Sequence, residues 1–220
     1  MDLLSGDSRG GVWIYINTGT TRKPKLAAGK QVEADGKPIT ASRRTYKRVD
    51  GRFVVDKVIP GSHKLAEVYS KIHMADWDGD GLKDLLIGHN STIIFYKNAG
   101  TKSRPLFKAP VTVDPPEGKF ASRPSPYVVD WDRDGRKDLL VSTEPRTLAF
   151  YRNVGTAKAP KLGAPVIVEL KGDGFEKGYR NRIEVVDWNN DGKLDILVGN
   201  FYSDRTTRKN GGNIWLFLAK

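Results

Sequence analysis

Residues 76–84 read Asp-Trp-Asp-Gly-Asp-Gly-Leu-Lys-Asp, and residues 130–138 and 187–195 repeat almost the same nine positions. Each copy continues directly into a short apolar run, of which Leu85-Leu86-Ile87-Gly88 is the first example. Four carboxylates within nine residues repel one another, and a compact loop tolerates them only when a cation lies among them. The nonapeptide therefore predicts a repeated unit, a bound cation and a β-strand after each loop.

The spacing of the copies is that of a repeat architecture. Asp76, Asp130 and Asp187, which open the three loops, lie 54 and then 57 residues apart. A second marker keeps the same period: an aromatic run closed by Asn-x-Gly-Thr, at residues 93–101, 148–156 and, as a partial copy, 12–20. We therefore place a fourth, incomplete unit at the N-terminus.

One full unit predicts four short strands. Runs of four to seven residues rich in Val, Ile, Tyr and Phe alternate with Gly, Pro and Asn, and no stretch shows a convincing helical period. Radial repetition of four antiparallel strands is typical of an all-β propeller. We expect a single propeller domain over 1–220 with about four repeats, two complete and two partial, as part of a larger ring. The expected repeats span about 1–30, 71–125, 126–180 and 181–220, with a basic insertion at about 31–70.

The loops supply oxygen ligands at regular positions. Calcium takes six to eight hard oxygen ligands, and a glycine at position 6 lets positions 1, 3, 5 and 9 converge while the carbonyl at position 7 adds a ligand. We expect about three Ca²⁺ ions per chain, with slightly weaker binding in the third loop, where an asparagine replaces one aspartate. The predicted ligands are Asp76, Asp78, Asp80, Leu82 and Asp84; Asp130, Asp132, Asp134, Arg136 and Asp138; and Asp187, Asn189, Asp191, Lys193 and Asp195.

An EF-hand is the nearest competing motif, and it fails at position 12. That position requires a glutamate followed by a helix, whereas the chain has Ile87, Val141 and Val198 within apparent strands. One loop supplies nearly all of the ligands of each ion, which leaves little room for a substrate at the metal. The predicted calcium is therefore structural rather than catalytic. The tryptophans at position 2 are predicted to pack between neighbouring blades.

The loop and the strand after it resemble the FG-GAP/VCBS repeats of integrin α subunits and bacterial secreted proteins. Three full motifs and a remnant carry the resemblance, whose period covers most of the chain. It implies a propeller blade with Ca²⁺ between its first two strands. It implies no single activity, because the blades of this family serve adhesion, carbohydrate binding and lyase scaffolds alike.

The chain is strongly basic, with 37 Lys and Arg against 26 Asp and Glu and a net charge of +11. Eleven of the acids lie in the three loops, so the remaining surface is more basic still. An anionic partner such as an acidic polysaccharide is therefore plausible, although charge also serves solubility. Two segments that break the repeat are basic and give the candidate ligand-binding residues Arg43, Arg44, Lys47, Arg48, Arg205, Arg208 and Lys209.

No cysteine, apolar leader or membrane-spanning run occurs in the sequence. Because calcium sites of moderate affinity fill best outside the cytosol, we expect an extracellular, periplasmic or surface protein whose export signal is absent from this chain. Open blade edges also predict self-association as the alternative to a larger ring.

Two functions from different classes remain. The first is a non-catalytic, calcium-stabilised binding or adhesion module for an anionic glycan or a protein. The second is a fragment of a carbohydrate-active enzyme of the rhamnogalacturonan lyase type. Nucleic-acid binding is a weaker third alternative, which predicts a steep fall of affinity with salt.

Overall fold

The regular elements of the structure are all β-strands. The computed structural model describes residues 2–8, 10–59, 61, 63–66, 70–144, 147–172, 179–204 and 209–220. Within these residues there is no helix, and hence none with the length and apolar character needed to cross a membrane. The expectation of an all-β chain is confirmed.

Twenty strands follow one another in the part of the chain that the structure describes. The first eight are β1 (Leu3–Gly6), β2 (Val12–Tyr15), β3 (Lys30–Gln31), β4 (Glu33–Ala34), β5 (Lys37–Pro38), β6 (Ala41–Val49), β7 (Arg52–Ile59) and β8 (His63–Ala66). The next eight are β9 (Lys71–Ala75), β10 (Asp84–His89), β11 (Thr92–Tyr96), β12 (Val111–Val113), β13 (Ser125–Val129), β14 (Asp138–Thr143), β15 (Thr147–Asn153) and β16 (Leu162–Ile167). The last four are β17 (Tyr179–Val186), β18 (Asp195–Asp204), β19 (Lys209–Gly211) and β20 (Ile214–Phe217).

Four antiparallel sheets form a four-blade β-propeller. Blade 1 has the order β1-β2-β3, blade 2 the order β9-β10-β11-β12, and blade 3 the order β13-β14-β15-β16. In blade 4, β18 pairs with β17 and β20, and its far end pairs with β19. The predicted propeller of four-stranded blades is therefore confirmed, with two full sheets flanked by two shorter ones.

The same register recurs in blades 2, 3 and 4. The last aspartate of each acidic loop opens the second strand and faces the last residue of the first strand: Asp84 with Ala75, Asp138 with Val129, and Asp195 with Val186. A one-residue slip would turn every apolar side chain to the other face of the sheet. The repeated loop therefore fixes where each sheet begins.

Three apolar cores lie between consecutive blades. Val12, Leu85, Ile87 and Tyr96 belong to the core between blades 1 and 2, and all four are fully buried. Blades 2 and 3 enclose a core that includes Trp77, Phe120 and Leu139, while blades 3 and 4 enclose one that includes Leu140 and Val198. The sheets are therefore held together face to face by aliphatic and aromatic side chains.

The first strands of the blades lie closest to one another. β9 contacts β13, and β13 contacts β17, as expected of the innermost strands of a propeller. β9 also contacts β1, which corresponds to the second strand of the other blades. Equivalent side chains join across these contacts: the His73 and Tyr127 rings lie 4.3 Å apart, and the Tyr127 hydroxyl donates to Glu184 Oε1 at 2.7 Å.

The inner ends of the second strands pass very close to the next blade. A Cβ on Gly6 would lie 2.1 Å from the Ser70 carbonyl oxygen, and one on Gly88 would lie 1.8 Å from that of Pro124. In blade 3 the equivalent residue is Ser142, whose hydroxyl donates to the Asn181 carbonyl at 3.1 Å. Glycine is therefore required at two of these positions by close backbone approach rather than by its dihedral freedom.

We predict that Gly88→Ala lowers the free energy of unfolding by about 1–3 kcal/mol, because the new methyl group must displace the backbone at Pro124. The matched control is Gly199→Ala in blade 4, where an added Cβ meets no atom within 4 Å. That variant should stay within about 0.5 kcal/mol of the parent in urea unfolding. Equal losses for the two variants would contradict the role of the blade contact.

The segment between blades 1 and 2 forms a long hairpin. β6 and β7 are paired from Arg43 opposite Ile59 at the base of the hairpin to Val49 opposite Arg52 at its tip. β8 lies parallel to β6 at the base. Nearly all described side chains of the hairpin are exposed, including Phe53 at 76%. Eight to nine residues of strand correspond to about 25–30 Å of reach. The expected basic insertion is thus largely an extended two-stranded arm.

The propeller has two distinct rims. The acidic loops follow the C-terminal ends of β9, β13 and β17, and we call this side the metal rim. The starts of those strands and the turns after β1, β10 and β14 define the opposite, basic rim. The hairpin begins on the basic rim, because Ala41 packs against Gly10 in the turn between β1 and β2. The β18–β19 extension lies on the same rim, since it prolongs the turn that follows Gly199.

Apolar residues become exposed at the outer faces of the first and last blades. Ile214 is 80% exposed, whereas its equivalents Ile93 and Leu148 are buried. Leu3 is 50% exposed, whereas its equivalent Leu85 is fully buried. The predicted self-association through open blade edges stays a prediction.

Candidate metal centres

Each acidic loop connects the first and second strands of its blade at the metal rim. The loops cover residues 76–84 between β9 and β10, 130–138 between β13 and β14, and 187–195 between β17 and β18. All three lie within the described residues, so every predicted ligand position can be located.

The first aspartate curls each loop by accepting backbone hydrogen bonds. Asp76 accepts from the N–H groups of Asp80 at 3.0 Å and Gly81 at 2.9 Å. Asp187 accepts in the same way from Asp191 and Gly192. The glycine at position 6 has a left-handed backbone in every loop, with φ of +87° at Gly81, +85° at Gly135 and +82° at Gly192. This conformation favours glycine and produces the curl that the sequence predicted.

The ninth aspartate is the structural centre of each loop, and Asp84, Asp138 and Asp195 are all fully buried. Asp84 accepts from the N–H of Trp77 at 3.0 Å and from the N–H of Asn98 at 2.8 Å. Asp138 and Asp195 make the equivalent two contacts. Burial raises the pKa of the Asp84 and Asp138 carboxyls, while the two N–H donors partly offset that rise.

Two of the loops bring three carboxylates together. One oxygen each from Asp76, Asp78 and Asp84 lies within 4.8 Å of the others, and Asp130, Asp132 and Asp138 form the same group. In the third loop, which is fully described, Asn189 occupies the middle position, and no such group of three carboxylates forms. Positions 1, 3 and 9 therefore converge in two loops, and these two clusters could hold a metal ion.

Two buried oxygens in these clusters have the character of metal ligands. Asp78 Oδ1 and Asp130 Oδ1 are inaccessible to solvent and have no hydrogen-bond partner. Leaving a buried carboxylate oxygen unsatisfied is costly, and coordination of a cation removes that cost. The donor set is all oxygen, which suits calcium or magnesium rather than zinc.

Position 5 faces the loop backbone and the solvent side. Asp80, Asp134 and Asp191 each accept a hydrogen bond at 2.8–2.9 Å from the N–H of position 7, which is Leu82, Arg136 or Lys193. Coordination by the position-5 carboxylates and by the carbonyls at position 7 stays a prediction.

Basic side chains from the third strand reach into two of the loops. Lys97 pairs with Asp78 and, at 2.6 Å, with Asp80, and Arg152 pairs with Asp132 at 2.6 Å and Asp134 at 3.1 Å. The Lys97 ammonium lowers the pKa of Asp80, with the Leu82 N–H adding to the effect. Sequence analysis missed these partners, although a cation precedes the Asn of both complete aromatic markers.

Blade 4 lacks this cation, since the equivalent position after β20 is Leu218. Its tryptophan also differs: Trp188 is 58% exposed, whereas Trp77 is 4% exposed and Trp131 packs in the core between blades 3 and 4. The predicted packing of the position-2 tryptophans between blades is therefore wrong for Trp188, which lies on the outer face of the last blade.

Comparison with known families agrees with this geometry. The model of the FG-GAP-like repeat matches residues 76–141 and 130–198, together more than half of the chain. The chain belongs to the FG-GAP-like repeat family. Each matched stretch of this FG-GAP-like chain runs from one acidic loop into the second strand of the next blade. A search of curated proteins gives no match.

The candidate ligand-binding residues of this FG-GAP-like protein lie on its hairpins. Lys47 Nζ lies 3.3 Å from Asp56 with both side chains largely exposed, and Arg48 Nε donates to the Gly51 carbonyl at 3.5 Å. Arg43 and Arg44 belong to β6, and Lys209 opens β19, but their side chains lie outside the described atoms. Arg205 and Arg208 lie outside the described residues.

We predict that Asp138→Ala lowers the free energy of unfolding by about 2–5 kcal/mol even in EDTA, because it leaves the buried N–H groups of Trp131 and Asn153 without acceptors. Asp134→Ala, at the exposed position 5 of the same loop, is the matched control and should change little under those conditions. Urea unfolding with EDTA measures both variants. If Asp138→Ala lowered the free energy of unfolding only when calcium is present, the residue would act as a metal ligand alone, and the proposed role of its backbone hydrogen bonds would be wrong.

Proposed function

We propose that the chain is a calcium-stabilised, non-catalytic propeller module that binds an anionic glycan through the β6–β7 hairpin. The observation that carries the proposal is the exposure of mixed aromatic and basic side chains along this arm. FG-GAP-like membership supports a propeller module and leaves its ligand open.

One face of the hairpin combines rings and charge. Tyr46 pairs with Val55 and Arg48 with Phe53, so these four side chains share a face. Tyr46 is 51% exposed, Phe53 76% and Val55 46%. Exposed aromatic and arginine side chains are typical of binding surfaces, because they offer apolar area and charge-assisted hydrogen bonds together. A polymer with alternating apolar faces and acidic groups matches this arrangement.

Calcium is proposed to hold the blades in shape. Asp76, Asp78 and Asp84 would bind one ion and Asp130, Asp132 and Asp138 another, with Asp187, Asn189 and Asp195 as the weaker third set. When bound, the ion neutralises the carboxylates that crowd each loop. Lys97 and Arg152 partly supply that charge in blades 2 and 3, so they would compete with the metal there.

We expect a calorimetric calcium titration to show about three sites, each adding about 2.7 kcal/mol of stability when free calcium is 100 times its dissociation constant. Lys97→Met should bind calcium about three- to tenfold more tightly in the blade 2 loop, because a competing cation is lost. Lys83→Met, an equal change of charge in the same loop, is the control. A titration without heat or stabilisation would refute calcium binding.

The glycan proposal predicts that the double variant Lys47→Glu, Arg48→Glu binds heparin and polygalacturonate at least about tenfold more weakly, because two attractive charges become repulsive. The control is Lys102→Glu, Lys108→Glu, which makes the same charge change at two exposed lysines after β11. Phe53→Ser should weaken binding without altering its salt dependence. Calorimetry at two salt concentrations measures all three.

Three outcomes would contradict this proposal. Equal binding by both double variants would remove the hairpin from the interface. Tighter binding of a single-stranded oligonucleotide with a steep salt slope would favour nucleic acid. Absorbance from an unsaturated uronate product during incubation with polygalacturonate or rhamnogalacturonan would favour the lyase alternative.

We further propose an extracellular, periplasmic or cell-surface location. FG-GAP-like repeats are typical of extracellular or surface proteins, and millimolar calcium outside the cytosol would fill sites of moderate affinity.

A further inference from the structure

A second group of basic residues lies on the basic rim, at the centre of the propeller rather than on the hairpin. Lys71 opens β9 in blade 2, and the equivalent residues are Ser125 in blade 3 and Arg182 in blade 4. Two residues before these last two positions lie Arg123 and Arg180. Because these are the starts of the innermost strands, their side chains gather at the axis. We call Lys71, Arg123, Arg180 and Arg182 the axial basic cluster.

Lys71 forms the base of this cluster. Its side chain is only 3% exposed, and its ammonium donates to the Arg123 carbonyl at 2.5 Å and lies 3.8 Å from Glu144 Oε1. Glu144 also receives a 3.0 Å contact from the Arg123 guanidinium. Arg180 and Arg182 are exposed, and Arg123 is 35% exposed at its side chain, so the arginines surround an approach from solvent to the buried lysine.

The three arginines of the cluster lie within electrostatic reach of Lys71. Lys71 and Arg123 both pair with Glu144, and the charges of Arg180 and Arg182 act on Lys71. Burial, together with the charges of Arg182, Arg123 and Arg180 and against the opposing charge of Glu144, lowers the pKa of Lys71 to about 8. Buried like charges destabilise a fold unless a counter-ion joins them.

The backbone is strained at two residues of the cluster, Arg123 and Arg180. Arg123 has φ of +52° and Arg180 has φ of +58°, and the two residues occupy equivalent places in successive blades. Arginine has no preference for this left-handed conformation, which asparagine or glycine adopts more readily. The left-handed backbone thus recurs at equivalent positions of blades 3 and 4, and in blade 4 the Arg180 guanidinium lies 5.1 Å from the centre of the Phe201 ring.

Unsatisfied polar atoms accompany these charges. Ser70 Oγ, Asn181 Oδ1 and Glu144 Oε1 are all inaccessible to solvent without a hydrogen-bond partner. Ser70 directly precedes Lys71, and Asn181 lies between Arg180 and Arg182. The Ser70 hydroxyl can donate to an anion, so the cluster has one neutral donor beside its charged ones, whereas Asn181 Oδ1 and Glu144 Oε1 are acceptors and do not bind an anion.

We propose that the axial basic cluster is a binding site for a single oxyanion group, a carboxylate, sulfate or phosphate, seated against Lys71 and held by Arg123, Arg180 and Arg182. Guanidinium groups bind such anions through paired, charge-assisted hydrogen bonds. This inference rests on the proposed function in one respect, the source of the anion. If the chain binds an acidic glycan, a carboxylate or sulfate of that glycan would occupy the axial basic cluster. Binding of a small anion itself requires neither the hairpin nor calcium.

The test uses the full chain and calorimetric titration with sodium sulfate, sodium phosphate and sodium glucuronate, at ionic strength held constant with sodium chloride. We expect saturable binding of one anion per chain. Preference for glucuronate identifies the carboxylate of a sugar acid, whereas preference for sulfate or phosphate identifies a tetrahedral group. Absence of saturable binding for all three anions would overturn the proposal.

Variants separate binding from a merely structural role. Lys71→Met should bind the preferred anion at least about tenfold more weakly, because the buried ammonium at the base of the cluster is removed. Arg180→Gln, at an exposed position, should weaken binding as well and decides the matter if Lys71→Met does not fold. Lys108→Gln is the control.

Unchanged anion affinity in Arg180→Gln and in folded Lys71→Met would overturn the site. The hairpin variant Lys47→Glu, Arg48→Glu should keep its affinity for the small anion. Failure of the small anions with retained heparin binding would therefore reject this site alone, and the reverse result would reject only the hairpin interface.

Discussion

The structure of each of blades 2, 3 and 4 depends on one buried aspartate, which accepts two backbone hydrogen bonds and so joins the acidic loop, the second strand and the third strand. In blades 2, 3 and 4 the ninth residue of the acidic loop accepts one N–H from the start of its own loop and one from the end of the third strand. Since this residue also begins the second strand, it sets the register of the sheet. The loop, the register and the candidate metal ligand thus depend on one carboxylate.

Equivalent residues behave differently where their neighbours differ. Gly88 must be glycine because the Pro124 carbonyl passes beside it, whereas Gly199 faces open space. Trp77 is buried between blades, and Trp188 is exposed at the end of the series. Blade-to-blade packing, rather than the repeat motif alone, therefore decides the environment of each copy and the cost of changing it.

The acidic loops and the basic segments lie on different rims of the propeller. Acidic loops occupy one rim, and the hairpin, the β18–β19 extension and the axial basic cluster occupy the other. The separation lets carboxylates attract cations without neutralising the basic surface, because screened interactions fade over about 10 Å and one innermost strand spans about 16 Å. Binding of a polyanion on the basic rim is compatible with metal ions on the metal rim.

Sequence alone determined the repeat, the strand order within a blade, the acidic loops and the glycine at position 6, because these features are local and recur with a constant spacing. Tertiary structure alone showed that Asp84 and Asp138 bind backbone groups from distant strands, that Lys97 and Arg152 enter the acidic loops, and that Lys71 meets arginines from two other blades. These contacts join residues from 14 to 111 positions apart along the chain. Pairing of neighbouring strands within a blade creates the aspartate, Lys97 and Arg152 contacts, and radial packing of the blades brings Lys71 to the arginines.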